Sequence, residues 1–251
     1  MAGRLRDVLF LLALKFLDRI VSTFRYFTSF LLEPIGYFLL CCALFIFLRT
    51  NKEVRYKILL TSFSLIFCIL VFMMTRKKGS VNTHLYSLIY LVMGMGWGFY
   101  FRFLFVSKAK RIVAILTLIV IFTYYSITNI ILSPPSIFDS VGYVITSFGL
   151  LILIFLFYHQ QMNNIREDPL SLNFDFWLSS ALLIYCLGAF GIFLTYNHFI
   201  HKILPAEHFT FENREILTYL WGVHNVLLFL ASLLVCVGVF WIVYRKKSRT
   251  Y

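Results

Sequence analysis

Charge is scarce in this sequence. Asp, Glu, Lys and Arg make up 14% of the 251 residues, against 61% hydrophobic, and only eleven residues are acidic. A soluble domain of this length needs more polar surface than that, so the solvent for most of the chain is lipid. No polar block large enough for a soluble domain interrupts the apolar runs, which implies one membrane domain. Cysteine is also sparse. Cys41, Cys42, Cys68, Cys186 and Cys236 all fall within apolar segments without CxxC spacing, so they read as small core residues, outside any disulfide framework or thiolate metal site. Proline occurs five times, and no Pro/Gly-broken spans recur in corresponding halves, which argues against a transporter built on discontinuous helices.

Catalytic signatures are missing too. There is no HExxH, no GxSxG, no Walker-type glycine loop and no Asp pair within facing spans. The reading is a non-enzyme with no cofactor. Between Ile216 and Tyr244 the last span has no lysine, which excludes a retinal Schiff base. His198 and His201, followed by Glu207, His208, Glu212 and Glu215, offer donors for a metal in the last loop; a solvated loop is the plainer reading, and no metal is assigned.

What is present is a succession of apolar runs of spanning length. The expected fold is all-α: a polytopic membrane helix bundle of seven transmembrane helices at about 28–48, 57–75, 85–106, 112–133, 141–159, 176–199 and 216–244. The division is an amphipathic interfacial helix at 1–27, a transmembrane domain at 28–245 and a basic tail at 246–251. In the first segment Arg4, Asp7, Lys15, Asp18, Arg19, Ser22 and Arg25 recur at spacings of three and four between apolar residues. Lys15, Asp18 and Arg19 interrupt any signal-peptide core, while an additional crossing by this segment stays open.

The net charge of +12 lies beside the apolar runs and suits anionic lipid headgroups, the bilayer being the first partner; with no basic-aromatic module off the membrane, nucleic acid is excluded. Twelve Lys and Arg lie in the first, third and fifth connections and the tail, against five in the other three connections. The C-terminus is therefore expected in the cytoplasm. Five further basic residues in the N-terminal segment narrow that margin, a conflict that an eighth crossing would remove.

With that orientation the polar groups inside the spans gather toward the outer leaflet. Glu33 in the first span, Tyr86 and Tyr90 in the third, Asn129 in the fourth, Thr195 in the sixth, and His224 and Asn225 in the seventh all fall there. Such groups are costly in hydrocarbon unless partnered. The economical arrangement brings Glu33 and His224 together, with Asn225 and a tyrosine hydroxyl nearby. The plainer alternative has Glu33 capping or snorkelling, and His224 and Asn225 in ordinary interhelical hydrogen bonds. Asp175, at the start of the sixth span, is a further charge in need of a partner, and Arg102 is expected to snorkel to the opposite headgroups.

Packing stripes follow from the helical repeat. Trp177, Ala181, Ile184, Gly188, Gly191 and Thr195 form one in the sixth span, and Trp221, His224, Leu228 and Ser232 one in the seventh, so these two helices are expected to pack together. Gly94 and Gly98 form a GxxxG that reads as core packing.

Phe176-Trp177-Leu178-Ser179-Ser180-Ala181-Leu182-Leu183-Ile184-Tyr185, with Leu220-Trp221-Gly222-Val223-His224-Asn225 and with His84-Leu85-Tyr86-Ser87-Leu88-Ile89 upstream, resembles a family of largely uncharacterised seven-helix membrane proteins of Bacteroidetes. The likeness covers about residues 28–245, and Tyr90 stands where relatives carry an acidic residue. The same region in relatives is alone or joined to a histidine kinase. The resemblance implies a sensory or signal-relay protein of the bacterial inner membrane that acts through another membrane or cytoplasmic protein. The alternative is a structural or accessory subunit of a larger envelope complex, and a small-solute permease comes third.

Overall fold

The computed structural model describes residues 27–49, 51–75, 83–131, 139–163, 169–199 and 211–248, together with residue 23. The amphipathic segment expected over the first residues, except residues 23 and 27, and the loop histidines His201 and His208, lie outside the described residues. Seven α-helices follow: α1 (Leu32–Leu48), α2 (Val54–Thr75), α3 (Thr83–Leu104), α4 (Lys108–Ser126), α5 (Ser140–Asn163), α6 (Phe174–His198) and α7 (Phe211–Ser248). No strand occurs among the described residues. Six helices are long and apolar enough to cross a membrane, and α1, at 17 residues, is shorter. The chain is a multi-pass membrane protein.

Local chemistry sets the helix ends. Pro34 has no N–H to offer the carbonyl of residue 30, and the chain before it widens into a π-helical turn, Phe27–Leu31. After α4 the chain widens again over Ile127–Ile131, where Thr128 and Asn129 turn back onto the carbonyls of Tyr124 and Tyr125 at 2.9 and 3.3 Å. Asn173 caps α6 by accepting from the Asp175 N–H at 3.1 Å, and Asp139 caps α5 by accepting from the Gly142 N–H at 3.0 Å. The α3–α4 turn is closed by Arg111, whose Nε donates to the Phe105 carbonyl at 2.7 Å.

The helices form a ring. Each packs on its chain neighbours, α7 closes against α1, and α3 is drawn inward to touch α2, α4 and α5. Consecutive helices alternate in direction, so the odd-numbered ones start at one end of the bundle, here called proximal, and finish at the other, distal. Small residues permit close approach. A Cβ on Gly36 would meet Leu228 and Ser232 of α7 at 3.3 Å, and one on Gly188 or Gly238 would fall on Leu227 or Trp177 across the α6–α7 seam. Gly94 and Gly98 lie against Ile121 and Leu118 of α4, so the GxxxG is used within the chain.

The outward surface is apolar, with Phe38, Phe45, Leu116, Phe122, Phe155, Leu187 and Phe240 all exposed. The core is apolar as well, so hydrophobicity runs all round the helices, as lipid immersion demands.

One packing expectation is corrected. Gly191 meets nothing within 4 Å, and Ile184 and Thr195 on the same stripe are exposed. The stripe predicted for the sixth span therefore meets α7 at Trp177 and Gly188 and leaves Ile184, Gly191 and Thr195 outside the seam. Helix α7 extends through Ser248, into the segment expected to form the basic tail.

Candidate functional site

The proximal end carries the residues singled out in the sequence. Pro34 and the π-helical turn place Glu33 in the first turn of α1, 4% exposed. Its carboxylate is in electrostatic reach of Tyr37, Tyr86, Tyr143 and Tyr185, from four different helices. Among the described residues it makes no hydrogen bond and no ion pair. Asn225 is fully buried and donates from Nδ2 to the Thr28 carbonyl at 3.0 Å, tying α7 to the π-helical turn that precedes Glu33.

His224, 1% exposed, sits among aromatic rings. Ring centroids of Phe193, Tyr185, Trp221 and Tyr143 lie 4.7, 5.3, 5.4 and 6.0 Å from the imidazole. The Tyr185 hydroxyl is 3.5 Å from Nε2, and Nδ1 has no hydrogen-bond partner. Tyr86 joins the belt edge-on to Trp221 at 4.9 Å. The bundle thus gathers Glu33, Tyr86, Trp221, His224 and Asn225 at one end, yet no direct hydrogen bond or ion pair joins Glu33 to His224.

Tyr90 reaches the belt through Tyr143, their ring centroids 5.5 Å apart, while its hydroxyl serves a different acid. Its hydroxyl donates to Oδ2 of Asp139 at 3.0 Å, while Tyr124 donates to Oδ1 at 2.9 Å. Asp139 is 9% exposed and also caps α5, so one carboxylate fixes α3, α4 and α5 together. Beside it, Ser140 and Asn197 join α5 to α6 at 3.3 Å. Sequence reasoning missed Asp139 because it follows the Ser133-Pro134-Pro135-Ser136 punctuation and reads as loop. Its position just before an apolar run, as an Asp at a helix start, was the available signal.

A second polar centre occupies the distal end, so the polar groups are not confined to one leaflet as expected. Asp175 is 4% exposed, and its Oδ1 accepts from the hydroxyls of Tyr56 and Tyr100 at 2.8 and 2.7 Å. Its Oδ2 faces Arg55 Nη2 at 3.1 Å, and that guanidinium also meets Glu53 at 2.7 Å and overlies the Tyr56 ring. The acid is saturated by hydroxyl donors and a counter-charge, the condition under which burial is tolerated. Arg102 is exposed, its guanidinium 6.0 Å from the Phe103 ring, outside this network.

Between the two ends lies a cavity of about 20 Å³ among α1, α2, α3, α6 and α7, lined by Tyr37, Phe63, Met93, Trp97, Tyr185 and apolar side chains. Tyr37 directs its hydroxyl to Met93 Sδ at 3.8 Å. The lining is almost wholly apolar, so the cavity separates the proximal acid from the distal one instead of joining them by water.

The three acids differ in kind. Asp139 and Asp175 are saturated and structural, each binding helices together, whereas Glu33 is buried with no such partners. Every Lys and Arg whose side chain is described, from Arg49 to Arg245, lies at the distal end, so the described bundle offers Glu33 no counter-charge. The chain matches no family model, and neither a curated protein nor a solved structure matches it.

Proposed function

We propose that this chain is a signalling or regulatory protein of the bacterial inner membrane, without catalysis of its own, that takes its input at the Glu33–His224 end and acts through a separate partner. The carrying observation is the contrast just described: of three buried acids, Glu33 alone makes no hydrogen bond or ion pair among the described residues, and it lies at the same end of the bundle as the aromatic belt around His224. A ligand that supplies the missing partner shifts the bundle toward whichever arrangement binds it better.

Seven crossings complete the proposal. The π-helical turn and α1 run together from Phe27 to Leu48, about 33 Å at the helical rise and enough to span. The excess of Lys and Arg in the first, third and fifth connections and the tail, twelve against five in the other connections, supports a cytoplasmic C-terminus and a partner surface on that face. The likeness to a family found joined to histidine kinases supports the same direction of relay.

The test is co-purification of partners with the wild type, Glu33→Ala and His224→Ala from native membranes. A signalling protein retains its partner but changes how much of it is bound, or its activity, when the input end is altered. A stoichiometric membrane complex indifferent to both substitutions would identify an accessory subunit instead.

A further inference from the structure

We infer that the distal mouth of the α4–α5 seam binds one anionic phospholipid, its phosphate held by Lys110, His159 and Asn163 and an acyl chain lying along the seam. This site stands apart from the Glu33–His224 end. Lys110 belongs to the first turn of α4, and its Nζ crosses to α5, where it donates to the Leu156 carbonyl at 3.1 Å and lies 3.4 Å from His159 Nδ1. Asn163, one turn on, brings its Nδ2 to 3.3 Å from the same ring nitrogen. With Nδ1 as the acceptor, the imidazole carries its proton on Nε2. Three side chains then offer N–H donors around one formal positive charge. No acid answers that charge: among the described residues Lys110 makes no ion pair, and the first turn of α4 contains no Asp or Glu. Arg55, at the same end, differs in this respect, its guanidinium being met by both Asp175 and Glu53.

The seam beyond the cluster suits a hydrocarbon chain. Its floor is Thr117 against Gly149, so close that a Cβ on the glycine would fall 2.7 Å from the threonine methyl. Exposed apolar side chains stand on either side, Leu116 and Val120 on α4 and Ile152 and Phe155 on α5. Val120 lies about 15 Å along the helix from Lys110, the hydrocarbon depth of one leaflet. On α5, His159 follows Ile152 and Phe155 at helical spacing, so the apolar ridge leads into the polar cluster without a break. Helix α4 is also the least buried of the six long helices, which leaves this flank open to lipid. Charge selects the headgroup. A phosphodiester supplies two free oxygens that accept from the three donors, whereas a zwitterionic headgroup brings its own cation to a cluster already positive. Lys108 and Arg111, exposed in the same turn of α4, strengthen the attraction. A lipid so placed fastens α4 to α5, and the anionic-lipid content of that leaflet then bears on how firmly this flank is held.

The test is native mass spectrometry of the purified full-length protein in detergent, titrated with phosphatidylglycerol or with phosphatidylcholine of the same acyl chains at matched ionic strength. The first phosphatidylglycerol is expected to bind at least about fivefold more tightly than phosphatidylcholine. Lys110→Gln should weaken that first molecule by about fivefold or more, while Lys57→Gln, which removes an exposed charge at the same end from α2, should weaken it by less than about twofold. Phosphatidylglycerol carrying a photoactivatable acyl chain should label the wild type on α4 and α5, a result that decides even where a variant does not fold. Equal binding of the two lipids, no greater loss in Lys110→Gln than in Lys57→Gln, or label spread evenly over the other helices would each overturn the site. Displacement of phosphatidylglycerol by inorganic phosphate at about 10 mM would overturn the lipid in favour of a free anion. Glu33→Gln should bind phosphatidylglycerol as the wild type does, so failure of the input end and failure of this site are told apart.

Discussion

The carboxylate of Asp175 on α6 stands 3.1 Å from the guanidinium of Arg55 on α2, and both share the hydroxyl of Tyr56. Breaking such a buried pair by altering one member leaves the other uncompensated. Asp175→Asn is therefore expected to destabilise the bundle by about 3 kcal/mol in micellar denaturation, and adding Arg55→Met to it should recover part of that loss. Additive losses would mean the two residues are not coupled.

Tyr100 should carry a smaller share. Its hydroxyl donates to the same Asp175 oxygen as Tyr56, so Tyr100→Phe removes one of the two hydroxyl bonds to that oxygen and should cost about 1.5–3 kcal/mol by the same measurement. Tyr158→Phe, which loses a half-buried hydroxyl contact to Ser180, is the comparison and should cost about 1 kcal/mol or less.

At the other end of the bundle, Tyr90→Phe and Tyr124→Phe each take one hydrogen bond from Asp139 and are expected to cost about 1–2 kcal/mol. Asp139→Ala should cost more than either, since it also uncaps α5. Because Tyr90 serves Asp139, Tyr90→Phe should leave Glu33-dependent ligand binding unchanged in the same preparations.

The α6–α7 seam distinguishes three glycines that look alike in sequence. Gly188→Leu and Gly238→Leu drive new atoms into Leu227 and Trp177 and should destabilise by about 1–3 kcal/mol. Gly191→Leu points into open space and should be within about 0.5 kcal/mol of the wild type.

How much of this was legible before the coordinates depended on range. Spans could be read because lipid forces an unbroken apolar run and the separators carry Arg49, Lys52, Arg76-Lys77-Lys78 or Ser133-Pro134-Pro135-Ser136. Depth could be read from the helical rise, which put Glu33, Tyr86, His224 and Asn225 at one end. Pairing could not. Tyr56 lies 119 residues before Asp175, and Arg55 reads simply as one more basic residue in a connection. Helical spacing placed Gly191 on the same stripe as Gly188, but it does not say how wide a seam the neighbouring helix covers. Asp139 reads as loop because its capping role appears only once α5 is seen to begin at Ser140.

The proposal that His224 and Glu33 form an input end is tested most directly by native mass spectrometry of the intact protein released from its own membranes. The account predicts a small molecule bound one to one with the wild type and absent from both Glu33→Gln and His224→Phe. A wild type carrying only lipid, or a bound molecule that both variants retain, would contradict it.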